Sequence, residues 1–279
     1  MAEILSFHAS IAQSDPSLHA AISSALCLIT SALHLYRAPR ELCLSFNGGK
    51  DSTVVLHLLR AALQQGADAA AAAAASAATA AATTASSAPP APAPLGAPLG
   101  PGSVYFSGGG AAELPEVAAF MASTEARYGF ATEVLDGFHA GLAQLVARPE
   151  AAGRVRGVLM GTRRGDPDAP SLCGPFSPTS PGWPPVMRVC PILDWSYGQV
   201  WAFLRGAGVP FCQLYARGHT SLGGVHDSAP NPSLLLRGGG GGGGAAYAPA
   251  WELQDAALER AGRGKRAAAA AAGAAQAQR

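Results

Sequence analysis

The chain has 279 residues, with 19 basic and 18 acidic side chains and a net charge of +1. That length suits one large domain or two small ones. The balanced charge excludes a global electrostatic attraction to nucleic acid or to an anionic membrane. We therefore expect a small-molecule ligand at a local site and no nucleic acid or membrane partner, while the sequence does not indicate an oligomeric state.

The N-terminal residues and the cysteines indicate a cytoplasmic protein. The chain starts with an acidic residue at Glu3 and no basic residue, unlike a secretory signal or an Arg-rich transit peptide. No stretch of about 18 residues is uniformly apolar, so no transmembrane helix is expected. The five cysteines form no CxxC pair, which favours reduced thiols over a zinc site or a disulfide scaffold.

Segments with helical and strand-like patterns alternate along the chain. The predicted helices span 17–37, 51–63, 115–128, 138–147 and 195–204. The predicted strands span 42–46, 103–106, 131–135 and 157–161. This alternation predicts an α/β fold, an open and mostly parallel sheet with helices on both faces. Ligands of such sheets bind beyond the carboxyl ends of the strands.

Biased composition divides the chain into a domain and its attachments. Residues 66–102 are rich in Ala and then in Pro, which predicts a solvated low-complexity insertion that is helical in part. The attachments beyond the domain are a Gly-rich linker at 237–249, a C-terminal helix at 250–266 that completes the site, and an Ala-rich tail at 267–279. The predicted domain comprises 1–65 and 103–236.

The segment SFNGGKDS (45–52) joins the first predicted strand to the next helix. Gly48 and Gly49 allow a tight turn whose amide groups converge, with the helix N-terminus, on one anion. Lys50 adds a cation, and Asp51 can hold a divalent metal. These features suit a pyrophosphate group, and without the GxxxxGK[ST] spacing we expect no cleavage between the β- and γ-phosphates. The alternative is a plain Gly-Gly turn beside a solvated Lys-Asp pair.

SFNGGKDS resembles the PP-loop of the N-type ATP pyrophosphatases, which cut ATP between the α- and β-phosphates. Asn47, where Ser is more usual, is similar to the eukaryotic-type FAD synthase (FMN adenylyltransferase) branch, which is related in fold to PAPS reductases. The other matching segments are VLMGTRRGDP, FSPTSPGWPPVMRVCPILDWSYGQVWAFL, VPFCQLYARGHTSLGG, APNPSL and YAPAWELQDAALERAGR. The resemblance implies an adenine nucleotide alpha hydrolase-like, PAPS reductase-like fold. It also implies a nucleotidyltransferase that uses Mg²⁺ to join the AMP of ATP to FMN, giving FAD and pyrophosphate.

The resemblance also implies three groups of site residues. The catalytic group is Asn47, Lys50, Asp51, Asp166, Arg260 and Arg263, in which Asp51 and Asp166 would hold the metal. The ATP-binding group is Ser45, Phe46, Gly48, Gly49, Ser52 and Gly161. The FMN-binding group is Arg163, Arg164, Ser180, Trp183 and Arg188, with the first two on phosphate. The i, i+3 spacing of Arg260 and Arg263 would place both guanidinium groups on one face of the predicted C-terminal helix.

Other functions are compatible with parts of this pattern. A PAPS reductase-like enzyme would need a reactive cysteine in a C-terminal motif, yet no cysteine follows Cys212. A tRNA-thiolating enzyme would need paired cysteines and a basic surface, and the sequence has neither. The third alternative is a nucleotide- or flavin-binding module without turnover, in which Gly165 and Ser180 would be signs of decay.

Three positions depart from the pattern of the FAD synthase branch, which usually has Thr at Gly165, Tyr at Asp168 and an acidic residue at Ser180. An aspartate at 180 would accept a hydrogen bond from the flavin ring, and a neutral serine accepts one more weakly. We therefore predict weaker FMN binding without loss of the chemistry. The substitution Ser180→Asp should lower the Michaelis constant for FMN, measured from initial rates of FAD formation. An unchanged constant would contradict this prediction.

Overall fold

A computed structural model describes residues 2–36, 41–81, 102–108, 113–150, 153–167, 169–236 and 245–264. The α-helices of this part of the chain are α1 (Ala2–Ser10), α2 (Pro16–Leu35), α3 (Lys50–Ala81), α4 (Pro115–Tyr128), α5 (Phe138–Ala147) and α6 (Tyr197–Gly206). The strands are β1 (Leu42–Ser45), β2 (Gly102–Ser107), β3 (Thr132–Asp136), β4 (Gly157–Leu159), β5 (Phe176–Pro178) and β6 (Met187–Val189). Asp168, one of the departures named above, lies outside the described residues.

The strands form one six-stranded sheet in the order β3-β2-β1-β4-β6-β5. Five of them run parallel, and the edge strand β5 pairs antiparallel with β6. The predicted fold class, an open and mostly parallel sheet, is therefore confirmed. Because β1 lies between β2 and β4, the loops that follow β1 and β4 emerge side by side at the carboxyl edge of the sheet.

Apolar side chains cover both faces of the sheet, as its parallel strands require. Along β1, Leu42 and Leu44 face one apolar core while Cys43 faces the other. The first core is large and includes buried residues of α1, α2, α3, α4 and α6. The second core is smaller and includes Leu142 and Leu145 of α5. Helices therefore pack on both faces, which confirms this part of the prediction.

Strands β5 and β6 were not among the predicted elements. Each is three residues long. A run this short carries no usable periodicity, so only pairing across the sheet makes these residues strands.

Helix α3 continues beyond the predicted domain boundary at residue 65 and reaches Ala81. The first part of the predicted insertion is thus a helical extension. Its side chains from 66 to 76 are exposed or half-buried, and residues 82–101 lie outside the described part. High intrinsic helix propensity of alanine explains the continuation without a docking surface.

The predicted C-terminal helix over 250–266 is wrong in its conformation. Ala250–Glu252 and Ala256–Leu258 form short 3₁₀ turns, and no α-helix is present among the described residues 245–264. The residues around these turns bond to other segments, for example Gly262, whose carbonyl oxygen accepts the Ala229 N–H at 3.0 Å. The end of the predicted linker is also structured, because Tyr247 pairs in a β-bridge with Leu235. The tail at 267–279 lies outside the described residues.

By length and composition, α2 meets the criterion for a membrane span, with a mean hydropathy of 1.6. This contradicts the expectation that no segment would do so. One such helix is weak evidence, because a core helix passes the same test. Ile22 and Ile29 of α2 are fully buried in the larger core, so packing explains the apolar character of this helix.

His57 of α3 is buried in the larger core region and stacks edge-on against Tyr128 at 5.3 Å. Burial, followed by the positive charge of Arg60, lowers the pKa of His57 to about 3. Unfolding restores a pKa near 6.5. Below that pH the unfolded chain binds a proton that the folded chain does not, so stability falls as pH falls.

We predict that the free energy of unfolding decreases by about 1.4 kcal/mol per pH unit between about pH 6 and 4 through His57. The variant His57→Leu should show a shallower decrease in urea titrations across this range. His34→Leu, at an exposed position of α2, serves as the control and should keep the wild-type slope. Equal slopes for His57→Leu and the wild type would contradict the prediction.

Candidate active site

A cleft of about 270 Å³ lies at the carboxyl edge of the sheet, where the loops after β1 and β4 meet. Ten residues of the predicted site line it: Ser45, Asn47, Gly49, Lys50, Asp51, Ser52, Gly161, Asp166, Arg260 and Arg263. The fold therefore brings together segments that are separated by more than two hundred positions in the chain.

The loop after β1 has the tight turn that its glycines predict. Gly48 has a φ of +69°, a conformation that side chains disfavour. A Cβ atom there would also lie 3.0 Å from Met121 Cγ of α4. The Asn47 side-chain oxygen closes the turn, accepting the Gly49 N–H at 3.0 Å and the Ser52 hydroxyl at 2.7 Å. Glycine and Asn47 thus shape the loop that begins α3.

Gly161, which follows β4, makes the closest backbone approach in the site. A Cβ atom at this position would lie 2.7 Å from the carbonyl carbon of Asp51 and 2.8 Å from the Ser52 nitrogen. Only glycine leaves room for the two loops to touch. Its predicted role is nucleotide contact, and the geometry adds a packing requirement.

Four charged side chains form an ion-pair cluster at the cleft: Lys50, Asp51, Arg163 and Glu259. The first two and Glu259 line the cleft. Lys50 Nζ donates to Asp51 Oδ2 at 2.9 Å and to Glu259 Oε1. Arg163 donates to Glu259 through Nη2, at 2.6 and 2.7 Å, and its Nε lies 2.8 Å from Asp51 Oδ1. Lys50 and Arg163 are 3% and 5% exposed, so each cation relies on these carboxylates in place of water.

The electrostatics of this cluster keep both cations charged. Burial alone would lower the pKa of Lys50, but Asp51 and Glu259 outweigh it and raise this pKa above its ordinary value. The pKa of Arg163 is raised for the same reason, against the opposing effect of burial. The cluster pairs two cations with two carboxylates, so its charges balance.

Asp166 lies on the loop after β4 and is positioned by a local turn. Its Oδ2 accepts the Arg163 N–H at 2.8 Å. Burial raises the pKa of Asp166, and the nearby carboxylates Asp51 and Glu259 raise it further, while the bond from Arg163 lowers it. A cation bound between these carboxylates would relieve the repulsion that raises this pKa. Asp51 and Asp166 therefore suit the oxygen-donor chemistry of Mg²⁺.

Tyr215, in the 3₁₀ helix Gln213–Arg217, supports the first turn of α3 through a hydrogen bond. Its hydroxyl oxygen accepts the Lys50 N–H at 2.8 Å, and the residue is 1% exposed. Burial raises the pKa of Tyr215 well above its ordinary value, and Asp51 adds to this, so the phenol stays protonated. Tyr215 also lines the cleft. Tyr215 lies in the matching segment VPFCQLYARGHTSLGG, but the sequence alone predicts no role for it.

Arg260 and Arg263 face both this cleft and a neighbouring cleft of about 640 Å³. Arg263 is held by Asp227 at 2.8 Å and by the Leu222 carbonyl oxygen. The Arg260 side chain is exposed. Both arginines therefore lie at the same clefts, in the turn that follows the 3₁₀ helix Ala256–Leu258. The α-helical face that was predicted for them is not present among the described residues 245–264.

Several predicted site residues do not line the cleft. Phe46 is fully buried and packs against Phe130 at 5.9 Å. Arg164 is 61% exposed in an ion pair with Asp194, and its expected place on phosphate stays a prediction. Arg188 donates hydrogen bonds to Ser171 Oγ and to the Pro178 carbonyl oxygen, both at 2.8 Å. It therefore links β6 to the end of β5 and to the segment that precedes β5. Gly48, which adjoins α4, and Arg163 are not among the lining residues either.

The predicted flavin residues Ser180 and Trp183 share one turn, since the Trp183 N–H donates to the Ser180 carbonyl oxygen at 3.1 Å. Trp183 is 41% exposed and contacts Phe138 edge-on at 5.9 Å. Phe138 lines the cleft and is 42% exposed. An exposed aromatic surface therefore extends from the cleft to Trp183. Sequence reasoning placed Phe138 only at the start of a helix.

Glu259 was also missed, although it directly precedes Arg260 in the quoted segment. A glutamate in a predicted helix carries no signal that it is buried. Its partners, Lys50 and Arg163, are 209 and 96 positions away. Only the folded structure, which brings these three chain segments together, shows that Glu259 belongs to the site.

Comparisons with known proteins agree with this geometry. The family model described as a phosphoadenosine phosphosulfate reductase domain matches residues 145–230. The crystal structure of Candida glabrata FMN adenylyltransferase in complex with FMN and the ATP analogue AMPCPP has a TM-score of 0.73. The alignment covers 94% of this chain and 97% of that chain, at 22% identity. The chain therefore shares the fold of that structure, and residues 145–230 resemble a phosphoadenosine phosphosulfate reductase domain.

Relatives in sequence narrow the resemblance to one branch. A probable FAD synthase of Caenorhabditis briggsae is 34% identical over 224 residues, which are 80% of this chain and 36% of the relative. A probable FAD synthase of Schizosaccharomyces pombe is 45% identical over 109 residues, 39% of this chain and 38% of the relative. The chain thus spans little more than a third of each of these relatives. Over the aligned residues, the chain resembles these FAD synthases.

We predict that Tyr215→Phe destabilises the loop after β1 and the first turn of α3, because the buried Lys50 N–H loses its acceptor. An unpaired buried donor costs about 1–3 kcal/mol. Urea unfolding should report this loss, and the dissociation constant for ATP, measured by calorimetry, should rise.

The control is Tyr36→Phe, since the Tyr36 ring packs beside Gly157 at the amino end of β4, away from the cleft. This variant should bind ATP like the wild type. If Tyr215→Phe matched the control in both measurements, Tyr215 would have no part in holding the loop.

Proposed function

We propose that this chain transfers the adenylyl group of ATP to FMN. An oxygen of the FMN phosphate attacks the α-phosphorus of ATP, the bond from that phosphorus to the bridging α,β-oxygen breaks, and FAD and pyrophosphate leave. Cationic and carboxylate side chains around one small cleft carry the proposal. Lys50, Asp51 and Asp166 line it together with Arg260 and Arg263, and the exposed Trp183 surface adjoins it.

Charge repulsion is the main obstacle to this reaction. The FMN phosphate carries a charge near −2 and ATP near −4, and two unit charges about 4 Å apart repel by about 4 kcal/mol at an effective dielectric of about 20. Lys50, Arg260 and Arg263 supply positive charge at the cleft. They stabilise the reaction most where charge develops between the α- and β-phosphates.

The loop after β1 would hold the pyrophosphate that leaves. Helix α3 begins at the end of this loop, and a helix N-terminus favours anions. Holding both reactants in one orientation lowers the barrier further, and this needs no side-chain nucleophile.

Asp51 and Asp166 are the residues that would hold Mg²⁺. Among the described residues, no group of three or more His, Cys, Asp or Glu could hold a metal ion. A magnesium ion bound by one or two carboxylates completes its shell with water and phosphate oxygens, so two carboxylates suffice. When bound, the ion would neutralise phosphate oxygens.

A PAPS reductase-like activity is a weaker candidate. None of the five cysteines lines either cleft at the carboxyl edge. Cys190 is the thiol near Asp166, and burial raises its pKa to about 11, so it is a poor nucleophile. A nucleotide- or flavin-binding module without turnover is the other alternative, and the retained Lys50 and Asp51 favour turnover.

One assay separates these possibilities. The protein is incubated with ATP, FMN and Mg²⁺, and FAD and pyrophosphate are quantified after chromatography. Equal amounts of both products support the proposal. Binding of ATP and FMN without any product would leave the chain as a binding module and overturn it.

We predict that Lys50→Ala and Asp51→Ala each lower the rate of FAD formation by about a hundredfold or more, because charge stabilisation of a transition state is worth this much. Initial rates at saturating ATP and FMN measure the effect, and circular dichroism verifies the fold. Glu150→Ala, at a carboxylate that is 72% exposed, is the control and should retain the wild-type rate. Wild-type turnover by either loop variant would remove the loop from the mechanism.

A further inference from the structure

We infer that Glu259 is a positioning residue of this site: its half-buried carboxylate docks the segment 250–264 on the first turn of α3 and the loop after β4, and so places Arg260 at the cleft. The inference rests on the proposed function for its consequences in catalysis. The docking itself is a property of the chain alone.

The first observation is where this segment is attached. The Ala250 carbonyl oxygen, at the start of the segment, accepts from the Tyr197 hydroxyl at 2.7 Å. Nearer to Arg260, the Glu259 carbonyl oxygen accepts from the Thr220 hydroxyl at 2.6 Å, and the Leu258 carbonyl oxygen accepts from Asn231 Nδ2 at 2.8 Å. Arg263 bonds Asp227, which lies between Thr220 and Asn231 in the chain. These contacts fix the segment to Tyr197 and to residues 220–231 but not to the loops that would hold the phosphates.

The second observation is that the Glu259 carboxylate bridges this gap. Within the described residues, every hydrogen bond and ion pair from 250–264 to the loops after β1 and β4 comes from this group. Its partners there are Lys50 Nζ and Arg163 Nη2. The Glu259 side chain is 14% exposed, whereas the other glutamate of the segment, Glu252, is exposed.

The third observation concerns Arg260. Its side chain makes no hydrogen bond or ion pair within the described residues, although it lines both clefts. Its position therefore depends on its backbone, and the residue before it is Glu259. No α-helix holds this part of the chain in place within the described residues. The side chain of Glu259 therefore holds the backbone at Arg260.

Lys50 and Arg163 make this anchor specific. Both are nearly buried, and buried cations require close counter-charges. Asp51 contacts both cations, and Glu259 is the second carboxylate that does so. The Glu259 carboxylate thus links the segment 250–264 to the loop that would hold the phosphates. A neutral side chain at position 259 would lose the two ion pairs and hold the segment less strongly.

The first test uses Glu259→Gln, which keeps the shape of the side chain and removes its charge. Glu252→Gln makes the same change of charge at an exposed position of the same segment and is the control. Brief trypsin digestion of both variants and the wild type, followed by mass spectrometry, measures the rate of cleavage after Arg260. Proteolysis under native conditions reports how often a segment opens.

We expect cleavage after Arg260 to be about tenfold faster in Glu259→Gln and unchanged in Glu252→Gln. Thermal unfolding of each variant verifies that the domain remains folded. Equal cleavage rates in all three proteins would overturn the docking role, whether or not the chain forms FAD.

The second test asks whether Glu259 acts through Arg260. Rates of FAD formation at saturating substrates are measured for Glu259→Gln, Arg260→Ala and the double variant. A positioning role predicts a loss of about tenfold or more in kcat for Glu259→Gln, with a smaller change in the KM for ATP. It also predicts that the same substitution costs much less in the Arg260→Ala background.

Additive losses in this cycle would show that Glu259 acts on the loop cations alone and would overturn the inference. If the wild type forms no FAD, the proposed function fails, and the trypsin comparison still decides whether Glu259 docks the segment.

Discussion

The desolvated charges of Lys50 and Arg163 are the constraint on which the site depends. A buried cation is stable only beside a counter-charge, and each of these two needs Asp51 and Glu259. The three chain segments that carry the four residues must therefore meet at one point. That point lies at the carboxyl edge of the sheet, where the loops after β1 and β4 already adjoin.

The sheet makes this meeting possible through its strand order. Parallel neighbours send their following loops to the same edge, and Gly161 lets the loop after β4 contact the first turn of α3. Gly48 and Tyr215 then shape and hold that turn. The last part of the site is the turn with Arg260, which follows the short 3₁₀ helix Ala256–Leu258. The order of dependence thus runs from the sheet, through the glycines, to the ion pairs.

Local patterns explain which predictions succeeded. Helices such as 115–128 have clear periodicity, and SFNGGKDS combines glycines, a cation and a carboxylate at one strand end, so both were readable from neighbouring residues. Arg164 and Arg188 were expected at the ligands because positively charged side chains suit phosphate and flavin. The structure pairs Arg164 with Asp194 and uses Arg188 to brace β5. Which partner an arginine takes is decided by distant residues, and no local pattern records it.

The sequence by itself determined the alternating elements, the open parallel sheet and the loop from Asn47 to Ser52, because each depends on residues within one or two turns of chain. Tertiary structure decided that Glu259 pairs with Lys50 and Arg163, that Tyr215 supports Lys50, and that residues 250–264 do not form an α-helix. These features depend on the loss of water around groups far apart in the chain. Hydration of a side chain is a property of the assembled fold, and a linear sequence does not encode it position by position.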